Sequence, residues 1–164
     1  MLWILLAVLV AAADQISKYI VIKNIKPGQM IPVIDNFFYL TLIRNKGAAF
    51  SMLLNGRIFF LILTPVVAAV LIYFLIKSKS AFLKLSLALI LGGAVGNYID
   101  RLFIGSVTDF FSFRFGSYPF AIFNVGDSII CVGTALLAVY LLFIYKEPGK
   151  KNLKQENAGE ENAE

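Results

Sequence analysis

Residues 58–76 are an unbroken run of nineteen uncharged, mainly apolar residues, and a run of that length is suited to crossing a lipid bilayer as a helix. At 1.5 Å per residue it reaches about 28 Å, close to the thickness of the hydrocarbon core. Pro65 lies inside it and marks a site where the helix can bend. Three further apolar segments, at about 1–22, 83–100 and 121–145, accompany it. The expected architecture is therefore an all-α membrane protein with four transmembrane helices. Composition agrees, with 59% hydrophobic and 15% charged residues and a mean hydropathy of +0.80, too apolar for an ordinary soluble domain.

The first segment resembles a cleaved export signal at a glance, because Ala11-Ala12-Ala13 follows an apolar stretch. No basic residue precedes that stretch and three more spans follow, so it reads as the first span. In the third, Gly92 and Gly96 have the GxxxG spacing that lets two helices approach closely. Residues 1–146 form one expected membrane-embedded domain. The remainder, 147–164, is polar and without periodicity and is expected to be a disordered cytoplasmic tail.

Four spans put both termini and the 77–84 connection on one side. Seven positive charges fall there (Lys77, Lys79, Lys84, Lys146, Lys150, Lys151, Lys154) and seven opposite (Lys23, Lys26, Arg44, Lys46, Arg57, Arg101, Arg114). The count ties, but the first set crowds one short loop and one juxtamembrane tail, so that side is taken as cytoplasmic. The same placement makes lipid head groups, rather than nucleic acid, the expected partner of the net charge of +5. The outer connections, 34–45 and 106–115, are rich in aromatic and β-branched residues. Phe111, Phe113 and Phe115 alternate with Ser112 and Arg114, as in a half-buried strand. A small β-rich platform on the outer membrane face is expected, with its aromatic side at the lipid interface.

The chain has no histidine and one cysteine, Cys131. A Cys/His zinc site, a Ser-His or Cys-His nucleophile and an internal disulfide are all excluded. Cys131 sits in an apolar helix and reads as a small buried packing residue. A Ser/Lys dyad is a poorer fit, because Ser17 and Lys18 are helix neighbours that point apart and Ser78, Ser80 and Lys84 lie on the inner side. The five glutamates are confined to the tail, which leaves Asp14, Asp35, Asp100, Asp109 and Asp127 for any acid-base chemistry. A charge within a span costs about 2.5 to 3.5 kcal/mol on insertion scales, so each needs a partner or a function.

Helix rise places Asp127 about 27 Å from Tyr145 and Asp100 about 24 Å from Lys84, both near the outer edge of the hydrocarbon. Asp109 follows Asp100 in the outer connection and shares strand parity with Phe111, Phe113 and Phe115, so it is expected to face their apolar side. Two carboxylates brought together share a proton, and such a pair activates water without histidine, cysteine or metal. No cofactor is expected.

Five blocks then become recognisable. They are Asp14-Gln15-x-Ser17-Lys18, Asn45-x-Gly47-Ala48-Ala49-Phe50-Ser51, Gly92-Gly93-x-x-Gly96-Asn97-x-x-Asp100-Arg101, Val107-x-Asp109-Phe110 and Phe123-Asn124-x-x-Asp127-Ser128. In order and spacing the chain resembles the lipoprotein signal peptidases (signal peptidase II), from Asp14 to the end of the fourth span. The resemblance implies a metal-independent aspartic endopeptidase of the bacterial inner membrane. It would cut prolipoproteins just before a diacylglyceryl-modified cysteine and be a target of globomycin-type inhibitors. It implies catalytic roles for Asp109 and Asp127. It also implies substrate-binding or supporting roles for Asp14, Lys18, Asn45, Gly47, Asn97, Asp100, Arg101 and Asn124. Where the family usually has alanine before the second catalytic aspartate, this chain has Gly126, which is expected to loosen the helix locally.

Local sequence alone leaves plainer readings open. Asp14 and Lys18 read equally as a structural i,i+4 ion pair, and Asp100 with Arg101 as an interfacial salt bridge. Asn97 and Asn124 read as interhelical hydrogen-bonding residues, Asn45-x-Gly47 and Asp35-Asn36 as turns, and Asp109 and Asp127 as turn or helix-start carboxylates. From another class, intramembrane Asp, Lys and Arg also mark a proton-coupled transporter, although no inverted repeat is visible and the charges lie towards one face.

Overall fold

A computed structural model describes residues 1–47 and 56–145. The Ala48 to Ser51 part of the second block and the tail expected to be disordered lie outside them. Four helices are long and apolar enough to cross a membrane: α1 (Leu2–Asn24), α2 (Arg57–Lys77), α3 (Ala81–Phe103) and α4 (Val125–Val139), the last extended by a π-helical turn over Tyr140–Ile144. Each is 20 to 23 residues long once that turn is counted, and α2 continues through Pro65. The four spans expected from hydropathy are all present.

Helix α3 is the centre of the bundle and packs against α1, α2 and α4. Its sequence is built for that position, because its small residues let the neighbours come close. A Cβ on Gly92 would lie 2.6 Å from the Ala7 carbonyl of α1, and one on Gly96 would collide with the Asp14 side chain. On another side of α3, a Cβ on Gly93 would lie 2.5 Å from the Gly126 carbonyl of α4. The expected close face at Gly92 and Gly96 is thus the α1 seam, and Gly93 forms a second seam one residue away. Ala7, Leu71, Leu75, Leu87, Ala88 and Leu91 fill the interior between α1, α2 and α3. The outward faces carry exposed Leu5, Leu9, Ile62, Val66, Val70 and Leu142, which is how a bundle that meets lipid tails is surfaced.

The expected small sheet is also present. Strands β1 (Met30–Ile34), β2 (Phe38–Asn45), β3 (Val107–Phe115) and β4 (Tyr118–Pro119) form a four-stranded antiparallel sheet in the order β1-β2-β3-β4. Asp35 and Asn36 make the β1–β2 turn, with Asn36 in the left-handed region at φ 59°. The sheet sits at the end of the bundle where α1 and α3 finish and α2 and α4 begin. Phe110 and Leu42 pack there against Val21 of α1 and Ile25 just beyond it.

Strand β3 differs from the expected simple alternation. Val107 through Phe110 are all buried, and beyond them Ser112 is buried while Phe111 and Phe113 are half-buried and Phe115 is exposed. The start of the strand is thus covered on both faces, while its far end is exposed. Phe111 and Phe113 pack on Phe123 and Phe38.

Candidate active site

The polar core lies where α1, α3, α4, β2 and β3 converge. Asp14 and Lys18 are one turn apart on the inner face of α1, with Nζ 2.7 Å from Asp14 Oδ2, and both are buried. Lys18 also lies 3.4 Å from Asp100 Oδ2 on α3. Asp100 accepts from the Thr108 backbone N–H at 2.8 Å, so it ties the start of β3 to the helices. Its charged partner is therefore Lys18, and not the adjacent Arg101 as the plainer reading had it. Asp14 accepts from the Gly126 N–H at 2.7 Å, satisfying an orphan donor in the first turn of α4.

Lys18 has a further contact that determines how the rest of the site is arranged. Its ammonium donates to Asn97 Oδ1 at 2.9 Å. An ammonium has no acceptor, so the oxygen of that amide must face Lys18, and the Asn97 NH2 is left to donate to Asp127 Oδ1 at 2.8 Å. Asn124, 0% exposed, completes the arrangement. Its NH2 donates to Asn97 Oδ1 at 3.1 Å and to Asp109 Oδ1 at 2.6 Å. Its own Oδ1 accepts the Asp127 N–H at 2.9 Å, while Asp127 Oδ2 accepts the Asn124 N–H at 3.2 Å, a reciprocal capping box at the start of α4. Asp109 Oδ2 takes a second amide donor, Asn45 Nδ2, at 2.8 Å, and Asn45 Oδ1 accepts from Gly47 N at 2.9 Å.

The plainer readings are thus partly right. Asn97 and Asn124 do bond between helices, Asn45 and Gly47 do form a turn, and Asp127 does cap a helix. Each of those arrangements also delivers a donor to, or holds the backbone of, one of two neighbouring carboxylates. Asp109 is 2% exposed, and burial raises its pKa from the 3.8 of a free aspartate to about 6. The hydrogen bond from Asn45 works against that rise, and the charge of Asp127 adds to it.

Asp109 and Asp127 both border a cavity of about 510 Å³, together with Asn45, Gly47, Arg101 and an apolar wall that includes Val107, Ile122 and Ile130. Arg101 contributes a guanidinium with two long hydrogen bonds, to Gly47 O at 3.4 Å and Asn97 O at 3.5 Å. Cys131 is exposed and lines the same cavity, which corrects the expectation of a buried packing residue. It lies one helical turn beyond Asp127, on the stripe of α4 that α3 leaves uncovered. Gly126 is buried at the α3 seam, and its N–H is held by Asp14.

All ten residues expected at the site lie in or directly against this network. Sequence reasoning passed over Gln15, whose Nε2 donates to Asp100 Oδ1 at 3.0 Å and to the Gly96 carbonyl at 2.9 Å. It also missed Thr108, whose hydroxyl accepts from Arg44 at 2.6 Å. Gln15 stands beside Asp14 in the first block, and that adjacency was the available signal.

The fold and the site define a class first: a multi-pass membrane protein with two amide-held carboxylates on one cavity. Residues 6–143 match the protein family described as Signal peptidase (SPase) II. The chain is 44% identical over 144 residues to a lipoprotein signal peptidase of Bacillus pumilus (strain SAFR-032), covering 87% of this chain and 93% of that one. It also superposes on two solved bacterial membrane enzymes determined by the in meso method, at 2.3 Å and 1.9 Å resolution. Both are 38% identical, with TM-scores of 0.80 and 0.78; the overlaps cover 88% and 87% of this chain and 93% and 94% of theirs. The chain belongs to the signal peptidase II family, the aspartic-type membrane proteases that remove signal peptides from prolipoproteins.

Proposed function

We propose that Asp109 and Asp127 act as one catalytic pair that cleaves a diacylglyceryl-modified prolipoprotein immediately before its lipidated cysteine. The observation that carries this reading is the pair of carboxylates on one cavity, Asp109 buried and Asp127 half-buried, each hydrogen-bonded by an amide N–H and linked to the other through Asn124. The ionised member takes a proton from water as its oxygen attacks the scissile carbonyl carbon. The protonated member donates to the carbonyl oxygen, which becomes the hydroxyl of a tetrahedral intermediate. Collapse breaks the C–N bond, with the proton passing from a carboxyl group to the departing nitrogen. Arg101, with donors left over beyond its long contacts, is assigned to a substrate carbonyl through its planar fork. Asp14, Lys18, Asp100, Asn97, Asn124, Asn45 and Gly47 hold that geometry.

Membrane lipids and globomycin-type peptides are the further partners this reading expects. The protein is assigned to the inner membrane with both termini and the 77–84 connection cytoplasmic and the catalytic pair near the outer face. Residues 1–146 form the peptidase domain, and 147–164 a cytoplasmic tail. The test is to incubate purified full-length protein in detergent with a lipidated prolipoprotein precursor and follow the released signal peptide. Cleavage before the modified cysteine, undiminished by chelators, is expected. A precursor left intact while the protein conducts protons in vesicles would favour a transporter.

A further inference from the structure

Arg101 is held in an unusual way for a buried-edge arginine. Its side-chain hydrogen bonds are long, at 3.4 and 3.5 Å. Its guanidinium carbon instead stands over the Phe60 ring, 4.3 Å from its centre, a cation–π contact. Such a contact holds the guanidinium in place without using its donors, which stay available to a ligand.

The backbone of the same residue is held from the same place. Arg101 lies in the last turn of α3, where carbonyls lack helical partners. Arg57 donates from Nε to the Arg101 carbonyl at 2.9 Å and from a terminal nitrogen to the Leu102 carbonyl at 3.1 Å. Gly105, in the left-handed region at φ +83°, turns the chain away beneath Arg57, and a Cβ there would lie 3.4 Å from its guanidinium. Arg57 and Phe60 are three residues apart in the first turn of α2, so they occupy one helix face. That face grips Arg101 at both ends, backbone by Arg57 and guanidinium by Phe60.

We infer that Arg57 and Phe60 are positioning residues that aim the Arg101 fork into the cavity. They convert α2, which supplies no carboxylate, into part of the catalytic apparatus. The inference rests on the reading of Arg101 as a substrate-carbonyl ligand. Neither residue touches the reacting atoms, so their loss should lower kcat more than it raises KM, because a mispointed fork fails the transition state while the lipid-anchored substrate still binds.

The test uses purified full-length variants cleaving a lipidated prolipoprotein precursor. Phe60→Leu keeps the span apolar and should lower kcat about tenfold, the equivalent of losing one desolvated cation–π contact. Phe60→Trp keeps an aromatic face and should restore most of the rate. Arg57→Gln should lose a similar factor. In an Arg101→Lys background, itself impaired, Phe60→Leu should cost less than about threefold, because residues acting through one another are not additive. Should Arg57→Gln insert poorly, the Phe60 series decides alone. If Arg101→Lys cleaves at the full rate, both the role given to Arg101 and this inference fall. If Arg101→Lys is impaired but Phe60→Leu is fully active, or its loss is unchanged in the Arg101→Lys background, only this inference falls.

Discussion

Asn124 shows at the residue scale how this site keeps two carboxylates close without letting them drift apart. One fully buried amide donates to Asp109, donates to Asn97, and accepts from the backbone of Asp127. Its orientation is dictated in turn by Asn97, and that of Asn97 by Lys18. Asp109 begins a strand covered on both faces, and that burial, reinforced by the Asp127 charge, brings its titration up to about 6 despite the Asn45 and Asn124 donors. The sign is definite: with a folded value above the 3.8 of a free aspartate, the folded protein holds this proton more tightly than the unfolded chain. The contribution to stability is full below about pH 4 and fades as pH rises through about 6. Infrared titration of the carboxyl band should show a step near pH 6 that Asp109→Asn removes, read as a property of the coupled pair. A step in the range of a free aspartate would refute the burial argument.

At the scale of elements, α3 owes its central position to glycines rather than to large side chains. Gly93→Ala would drive a Cβ to 2.5 Å from the Gly126 carbonyl, backbone against backbone. It should destabilise the bundle by about 1 to 3 kcal/mol, measured by thermal unfolding in detergent. Gly126→Ala would meet Asp14 at 3.0 Å and the Gly93 carbonyl at 3.1 Å, a fit a few tenths of an ångström too tight, and should cost less than Gly93→Ala. The reverse order would mean that the α3–α4 seam is not as close as described. The spans, the two central strands β2 and β3 and the close glycine face of α3 were legible because hydropathy, parity and GxxxG spacing are local patterns, whereas β1, β4 and the identity of the helix facing those glycines were not. The double burial at the start of β3 was not, since it depends on a helix far off along the chain, α1, whose Val21 lies 89 residues before Phe110. For the same reason Cys131 was misread: an apolar neighbourhood in sequence does not say which stripe of α4 is left open to a cavity.

For the whole molecule, the sheet and, among the described residues, the buried charges Lys18, Asp100 and Asp109 lie toward one end of the bundle, which gives the protein a polar head and an apolar body. The proposed orientation puts that head outside. With Cys131→Ala as background, a single cysteine replacing exposed Ser117 should react with an impermeant reagent in intact cells, and one replacing Lys79 only after lysis; the opposite pattern would invert the map. The gathering of Asp100 and Asp127 was legible from helix rise, and that of Asp109 from its place in the connection after α3. Their linkage through two asparagines was not, because helix rise says nothing about which amide nitrogen faces which oxygen. The most direct measurement for the whole account is the rate of lipidated-precursor cleavage by Asp109→Asn, Asp127→Asn and the double variant, each purified as a folded membrane protein. An amide cannot carry the proton, so each single variant should lose about 10⁴-fold or more, and the double variant should be no slower than the slower single one. Substantial cleavage by either single variant would contradict the catalytic pair.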